Sequence, residues 1–161
     1  MKMKFILLIA MLAQIFSFGC ATATGPLFKE DTVEEHNGKA IVYFYRNSQA
    51  GGASVLDLKI NRKATFPLLN KGYHLLVLEP GEYEFEVLFN SKILKAENKF
   101  VLKGNETYYI RYRADVVGHN PGLVTSGPIF KDSITLVPRE DALEVIKKCR
   151  LIEVPRKPQN L

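Results

Sequence analysis

Val77-Leu78-Glu79-Pro80-Gly81-Glu82-Tyr83-Glu84-Phe85-Glu86-Val87 is the stretch whose reading decides the fold. From Glu82 to Val87 carboxylates and apolar side chains alternate without a fault. That period of two separates the faces of a strand and fits no helix. Pro80-Gly81 in front of it predicts a tight turn: proline presets one backbone angle, and glycine accepts a positive one. A strand must therefore precede the turn, and Gly72 to Glu79 supplies it.

Working outward, the same period recurs. Leu56, Leu58 and Ile60 alternate with Asp57 and Lys59; Tyr108, Ile110 and Tyr112 share one face opposite Tyr109, Arg111 and Arg113. Ala40 to Tyr45 is apolar on both faces, the pattern of a central strand covered twice. About eight strands are expected, at 39–46, 54–60, 64–69, 72–79, 82–89, 92–102, 106–114 and 129–137. Gly104-Asn105 marks another turn, and 118–127, with Pro121 and three glycines, is expected to be a mobile loop. Many short strands at close spacing predict a mainly β fold, a small antiparallel sandwich. One C-terminal amphipathic helix is added by Ala142, Val145, Ile146 and Cys149 at i, i+3, i+4 and i+7. Pro138 is expected as an early helix residue, Glu140 and Asp141 lie in the first turn, and Lys147 and Lys148 are expected in the last.

The first nineteen residues stand apart from this pattern. Lys2 and Lys4 precede Phe5 to Phe18, in which only Gln14 and Ser17 are polar. A spanning helix needs about 20 apolar residues, so the run reads as the core of a secretory signal rather than a span. Ser17-Phe18-Gly19-Cys20 then resembles the lipobox of bacterial lipoproteins, in which cleavage between Gly19 and Cys20 leaves the cysteine acylated. Gly19 and Cys20 fit that pattern well, Ser17 and Phe18 only its relaxed form. The alternative is an ordinary cleavage site with an unmodified cysteine. The resemblance implies attachment to a membrane through an N-terminal lipid. It also implies a cell-envelope location, and Ala21, where an inner-membrane lipoprotein of a two-membrane bacterium carries aspartate, implies the outer membrane facing the periplasm.

The expected organisation is thus a signal peptide over 1–19, a tether over 20–38, a sandwich over 39–154 and a loose tail over 155–161. The tether is thin in large apolar residues and carries Glu30, Asp31, Glu34 and Glu35. It is expected to be a flexible spacer. Fully stretched, it reaches at most roughly 60 Å.

Composition narrows the function classes. The 161 residues are 47% hydrophobic and 24% charged, which excludes wholesale disorder. Two cysteines and three histidines exclude a disulfide-dense scaffold and a cysteine-rich zinc module. The net charge of +5 sits on the body of the chain, because the tether holds four of the acids. For an exported, anchored protein, the natural counter-charges are anionic lipids or cell-wall polymers rather than nucleic acid.

No GxSxG, HExxH or CxxC occurs, nor any phosphate-cradling glycine loop. No catalytic residue, cofactor or metal ligand is assigned. Glu82, Glu84 and Glu86, about 6.8 Å apart at two rises of roughly 3.4 Å, read either as paired carboxylates or as a solvated face. The second reading is favoured, with Arg111, Arg113 or lysines as cross-strand partners. Lys95, Glu97, Lys99 and Lys103 read as an edge-strand face, and Cys149 as a buried free thiol.

GKAIVYFYR (Gly38 to Arg46), VLEPGEYEFEV (Val77 to Val87) and ETYYIRYR (Glu106 to Arg113) together resemble the signature stretches of a bacterial lipoprotein family. Its domain is one of unknown function, and its proline-glycine hairpin is similar to those of PEGA-type and carboxypeptidase-regulatory-like sandwiches. The resemblance spans about 38–153 and implies fold and address, not activity. Asn61-Arg62 departs from it, standing where the family carries a glycine-containing turn. The leading expectation is a non-enzymatic, lipid-anchored module that meets an envelope protein or cell-wall partner. Its rivals are a purely structural envelope component and an envelope enzyme with a site near the 115–127 loop. A deep polar pocket uniting at least two of His74, His119, Asp115 and Glu79 favours the enzyme; a flat exposed aromatic patch on one sheet favours the module.

Overall fold

In the computed structural model, residues 22–30, 38–48, 54–122 and 126–153 are described. Cys20, the signal segment and the tail from 154 lie outside them. Two sheets face each other. One runs β8 (Ser126–Val137), β7 (Thr107–Pro121), β1 (Ala40–Arg46), β4 (Gly72–Leu78), β9 (Arg150–Leu151); the other runs β3 (Ala64–Leu68), β2 (Leu56–Ile60), β5 (Gly81–Phe89), β6 (Ile93–Leu102). Among the described residues a single short helix, α1 (Arg139–Ile146), follows β8. The mainly β sandwich with one C-terminal helix is therefore the fold.

Between the sheets lies the main core. Val42 and Phe44 of β1, Leu58 and Ile60 of β2, Phe85 and Val87 of β5, and Ile110 of β7 are all at or near zero exposure. Alternation holds on β5, with Phe85 and Val87 inward and Glu82 exposed. Every residue of β1 is buried, because its other face carries a second core. There Ile41, Tyr43, Tyr45, Tyr73 and Tyr109 pack under Ala142, Ile146 and Cys149. The aromatic strand of the sequence is thus the middle layer of three.

The five-stranded sheet is mixed, a refinement of the antiparallel expectation. β1 pairs β4 antiparallel but β7 in parallel, and β4 pairs β9 in parallel. Parallel neighbours need long crossovers, and here the whole of the second sheet lies between β1 and β7 in sequence. Asn61-Arg62 closes its hairpin without glycine: both residues take positive φ, 50° and 60°, and the Lys63 amide donates to the Ile60 carbonyl at 3.0 Å. That is the turn whose twist matches a two-strand ribbon.

Three expectations are corrected. The expected 118–127 loop is largely strand, since β7 runs to Pro121 and β8 begins at Ser126, paired residue for residue across a bulge at Val116/Gly118. Pro138 is the cap before α1, its carbonyl accepting from the Ala142 amide at 2.9 Å, and Lys147 and Lys148 follow the last turn. Most consequentially, residues 22–30 of the expected tether are docked. Thr22 bridges Asn70, Leu27 bridges Arg150, and Phe28 lies edge-on to Tyr43 and Tyr73 at 5.0 and 5.4 Å. Glu30 accepts two bonds from Arg139, at 2.9 and 2.7 Å, and one from the Tyr109 hydroxyl. One aromatic plus one well-placed carboxylate suffices where composition argued against order.

Candidate functional site

The structure scatters the four groups an envelope enzyme was expected to unite. His74 is buried on β4, its Nε2–H donating to the Pro67 carbonyl at 2.7 Å, and burial lowers its pKa against that bond. Glu79 sits beyond the other end of the same strand, paired with Lys39 at 2.9 Å. Asp115 pairs with Arg113 at 2.5 Å, and His119 lies further out on β7. Among the described residues no group of three His, Cys, Asp or Glu side chains is placed to hold a metal ion.

Of the cross-strand partners expected for the glutamates of β5, a lysine is found and the two arginines are not, while Arg62 of the neighbouring turn is added. Glu84 meets Arg62 at 3.2 Å and Lys99 at 4.0 Å, and Glu86 meets Arg62 at 3.7 Å. Arg111 and Arg113 lie on the other sheet. Cys149 is buried with a free thiol, which burial pushes up to about 12. As expected, β6 is a sheet edge, and it carries Lys95, Glu97 and Lys99.

What the structure assembles lies at one end of the molecule, where β1 finishes. Arg46, the last residue of β1, is 1% exposed. Its Nη1 donates to the carbonyls of Ser54 at 2.6 Å and Leu68 at 3.0 Å, and its guanidinium carbon lies 5.9 Å from the Tyr112 ring centre. Burial pulls the Arg46 pKa down, opposed by Tyr112 and Asp132. The Tyr112 hydroxyl donates to Asp132 at 2.5 Å, and burial, then that bond, pushes its pKa up. Above this group opens a cleft of ≈ 170 Å³ between the sheets, walled by Leu56, Phe89 and Phe130 with Lys95 at its lip.

On the helix side of the same end is a larger cleft, ≈ 470 Å³, lined by Asn47, Ser48, Arg111, Arg113, Asp115 and Val145 among others. Ser48 is 5% exposed and its amide donates to Asn70 Oδ1 at 3.1 Å. The Ser48 hydroxyl, Arg111 Nε and the Tyr45 hydroxyl are buried without a hydrogen-bond partner among the described residues. Buried polar groups are normally paired. The strand alternation was legible in sequence, but not this convergence, because Ser48 reaches the cleft through a loop.

Between and beyond the two clefts the β7–β8 hairpin continues as an arm. β1 accompanies β7 only as far as Tyr112, after which β7 and β8 pair with each other alone within their sheet. Val116, Val117, Ile129 and Phe130 on this arm are 40–58% exposed. Thr22, at the docked start of the N-terminal segment, lies at this end too, since Asn70 directly precedes the turn into β4 and Gly72 faces Arg46.

Residues 36–128 match a protein family described as Protein of unknown function (DUF2846), more than half of the chain. The chain belongs to that family. The match runs from ahead of β1 to the first residues of β8 and stops short of α1 and Cys149, which the sequence resemblance had included. No curated protein matches the chain.

Proposed function

We propose that the chain is a lipid-anchored lipoprotein of the cell envelope, and that its sandwich is a non-enzymatic interaction module held with one end against the bilayer. The observation that carries this reading is a convergence. The start of the docked N-terminal segment, two residues after Cys20, and the arm bearing Val116, Val117, Ile129 and Phe130 share one end of the fold. An exposed apolar cluster needs a partner, and acyl chains on Cys20 bring the bilayer within reach of this one. Dispersal of His74, His119, Asp115 and Glu79 supports an interaction module over an enzyme sited near 115–127. Among the described residues no helix is long and apolar enough to cross a membrane; the proposed anchor is the lipid on Cys20.

A photo-crosslinking residue at Val117 in living cells tests the reading. The expected product is a lipid adduct on chain that also incorporates a fatty-acid probe, with the probe lost in Cys20→Ser. A discrete protein adduct from Val117 replaces the bilayer with a protein partner, and probe incorporation by Cys20→Ser removes the anchor.

A further inference from the structure

We propose that the ≈ 470 Å³ cleft beside Ser48 and Arg111 binds the phosphodiester of an anionic lipid headgroup. Its walls are built for an oxyanion and its interior is polar without being self-satisfied. Ser48 is held in place by the hydrogen bond its backbone N–H donates to Asn70 Oδ1, yet its hydroxyl has no partner among the described residues, and neither has Arg111 Nε. Arg111 stands beside Tyr45 in the parallel register; the Tyr45 hydroxyl, which is not part of the cleft's lining, is likewise buried without a hydrogen-bond partner among the described residues. Leaving buried donors unmet is costly, and an incoming phosphate oxygen satisfies a hydroxyl and a guanidinium together.

Charge selects the valence. Arg111 and Arg113 line the cleft with Asp115, whose carboxylate already neutralises Arg113 at 2.5 Å. The net single positive charge matches a phosphodiester monoanion better than a dianionic phosphate monoester. Size agrees: the space far exceeds the roughly 30 Å³ share of one water and falls in the range of small-molecule sites. Position selects the lipid as the source. Asn70, which holds Ser48, is also the residue Thr22 bridges, so the cleft opens where the chain leads back toward Cys20. Apolar Val116 continues from the cleft's rim onto the exposed arm, placing acyl-compatible surface next to the charged seat. This inference uses the membrane-facing end proposed above, but its test does not depend on acylation.

Full-length protein in non-ionic detergent is titrated calorimetrically with dihexanoyl phosphatidylglycerol, dihexanoyl phosphatidylcholine and soluble glycerophosphoglycerol. The expected result is saturable binding of the anionic lipid, at least tenfold weaker for the zwitterionic lipid and the soluble diester. Ser48→Ala is expected to weaken it several-fold and Arg111→Gln at least tenfold. Arg113→Gln, at an exposed position, serves should Arg111→Gln fail to fold; it is expected to weaken binding several-fold. Equal binding of the soluble diester overturns the lipid as source. Absence of saturation at millimolar ligand, or wild-type affinity in folded Ser48→Ala and Arg113→Gln together, overturns the site. Cys20→Ser labelling fails or succeeds independently of all these outcomes.

Discussion

Phe85 has no exposed surface, and its ring lies 5.7 Å from that of Phe44 and 5.9 Å from that of Phe100. Truncation to alanine leaves a cavity in the main core, so Phe85→Ala is expected to cost about 3–5 kcal/mol in denaturant melts. Glu84, its neighbour on the opposite face, meets Arg62 and Lys99 near the surface. Glu84→Ala is expected to cost no more than about 1 kcal/mol, as for a screened ion pair. A larger loss at Glu84 than at Phe85 contradicts the register. His74 gives a pH test. Burial holds its pKa below the ordinary 6.5, so the unfolded chain takes up the proton first as pH falls. Stability is therefore expected to decline as pH drops through about 6.5, and His74→Gln to flatten that part of the profile if the variant folds. These core positions were legible because alternation alone places a side chain inward. The hydroxyls of Ser48 and Tyr45, without hydrogen-bond partners among the described residues, were not, since no spacing rule says which loop will lie over which strand end.

Strands and turns were read more faithfully than connections between them. Pro80-Gly81 and the alternating runs located β4, β5 and β2 within a residue or two, because each run states its own period. The parallel pairing of β1 with β7 carries no local signature; it follows only once β4 and the second sheet have taken the other available edges. The docked segment 22–30 was missed for a similar reason. Its order comes from partners distant in sequence: the Tyr43 and Tyr73 rings around Phe28, and the Arg139 fork on Glu30, whose carboxyl that bond holds below its usual range. Gly25 offers a test confined to this element. A Cβ there would lie 2.2 Å from the Leu151 carbonyl oxygen, a backbone atom that cannot step aside. Gly25→Ala is therefore expected to release 22–30 and to speed its proteolysis, while the thermal transition of the sandwich core persists. Unchanged cleavage in Gly25→Ala counts against the docking.

At the scale of the whole molecule, docking of 22–30 changes what an anchor does. A free tether would let the domain range tens of ångströms from the bilayer. With Thr22 bridged to Asn70, only Ala21 separates Cys20, the position proposed to be acylated, from the body, and one residue spans at most about 3.6 Å. An anchored chain then has a fixed polarity: the β7–β8 arm and both clefts lie at the membrane end, and the Pro80-Gly81 turn lies at the far end. The nine residues of β5 measure the distance between those ends, about 30 Å at roughly 3.4 Å per residue. Two exposed valines mark them, Val117 on the arm and Val101 beside the start of β5, where it pairs with Glu82. Each is replaced by cysteine and labelled with a fluorophore; Cys149 is buried and its pKa of about 12 keeps the thiol protonated, so it is spared. In vesicles carrying the acylated protein, a quencher placed at the headgroup level is expected to extinguish the Val117 label and leave the Val101 label bright. Equal quenching at both positions means that the domain tumbles freely on a longer leash, and the docked segment has then been released at the membrane. Stronger quenching at Val101 inverts the molecule, and with it the assignment of the Ser48–Arg111 cleft to lipid.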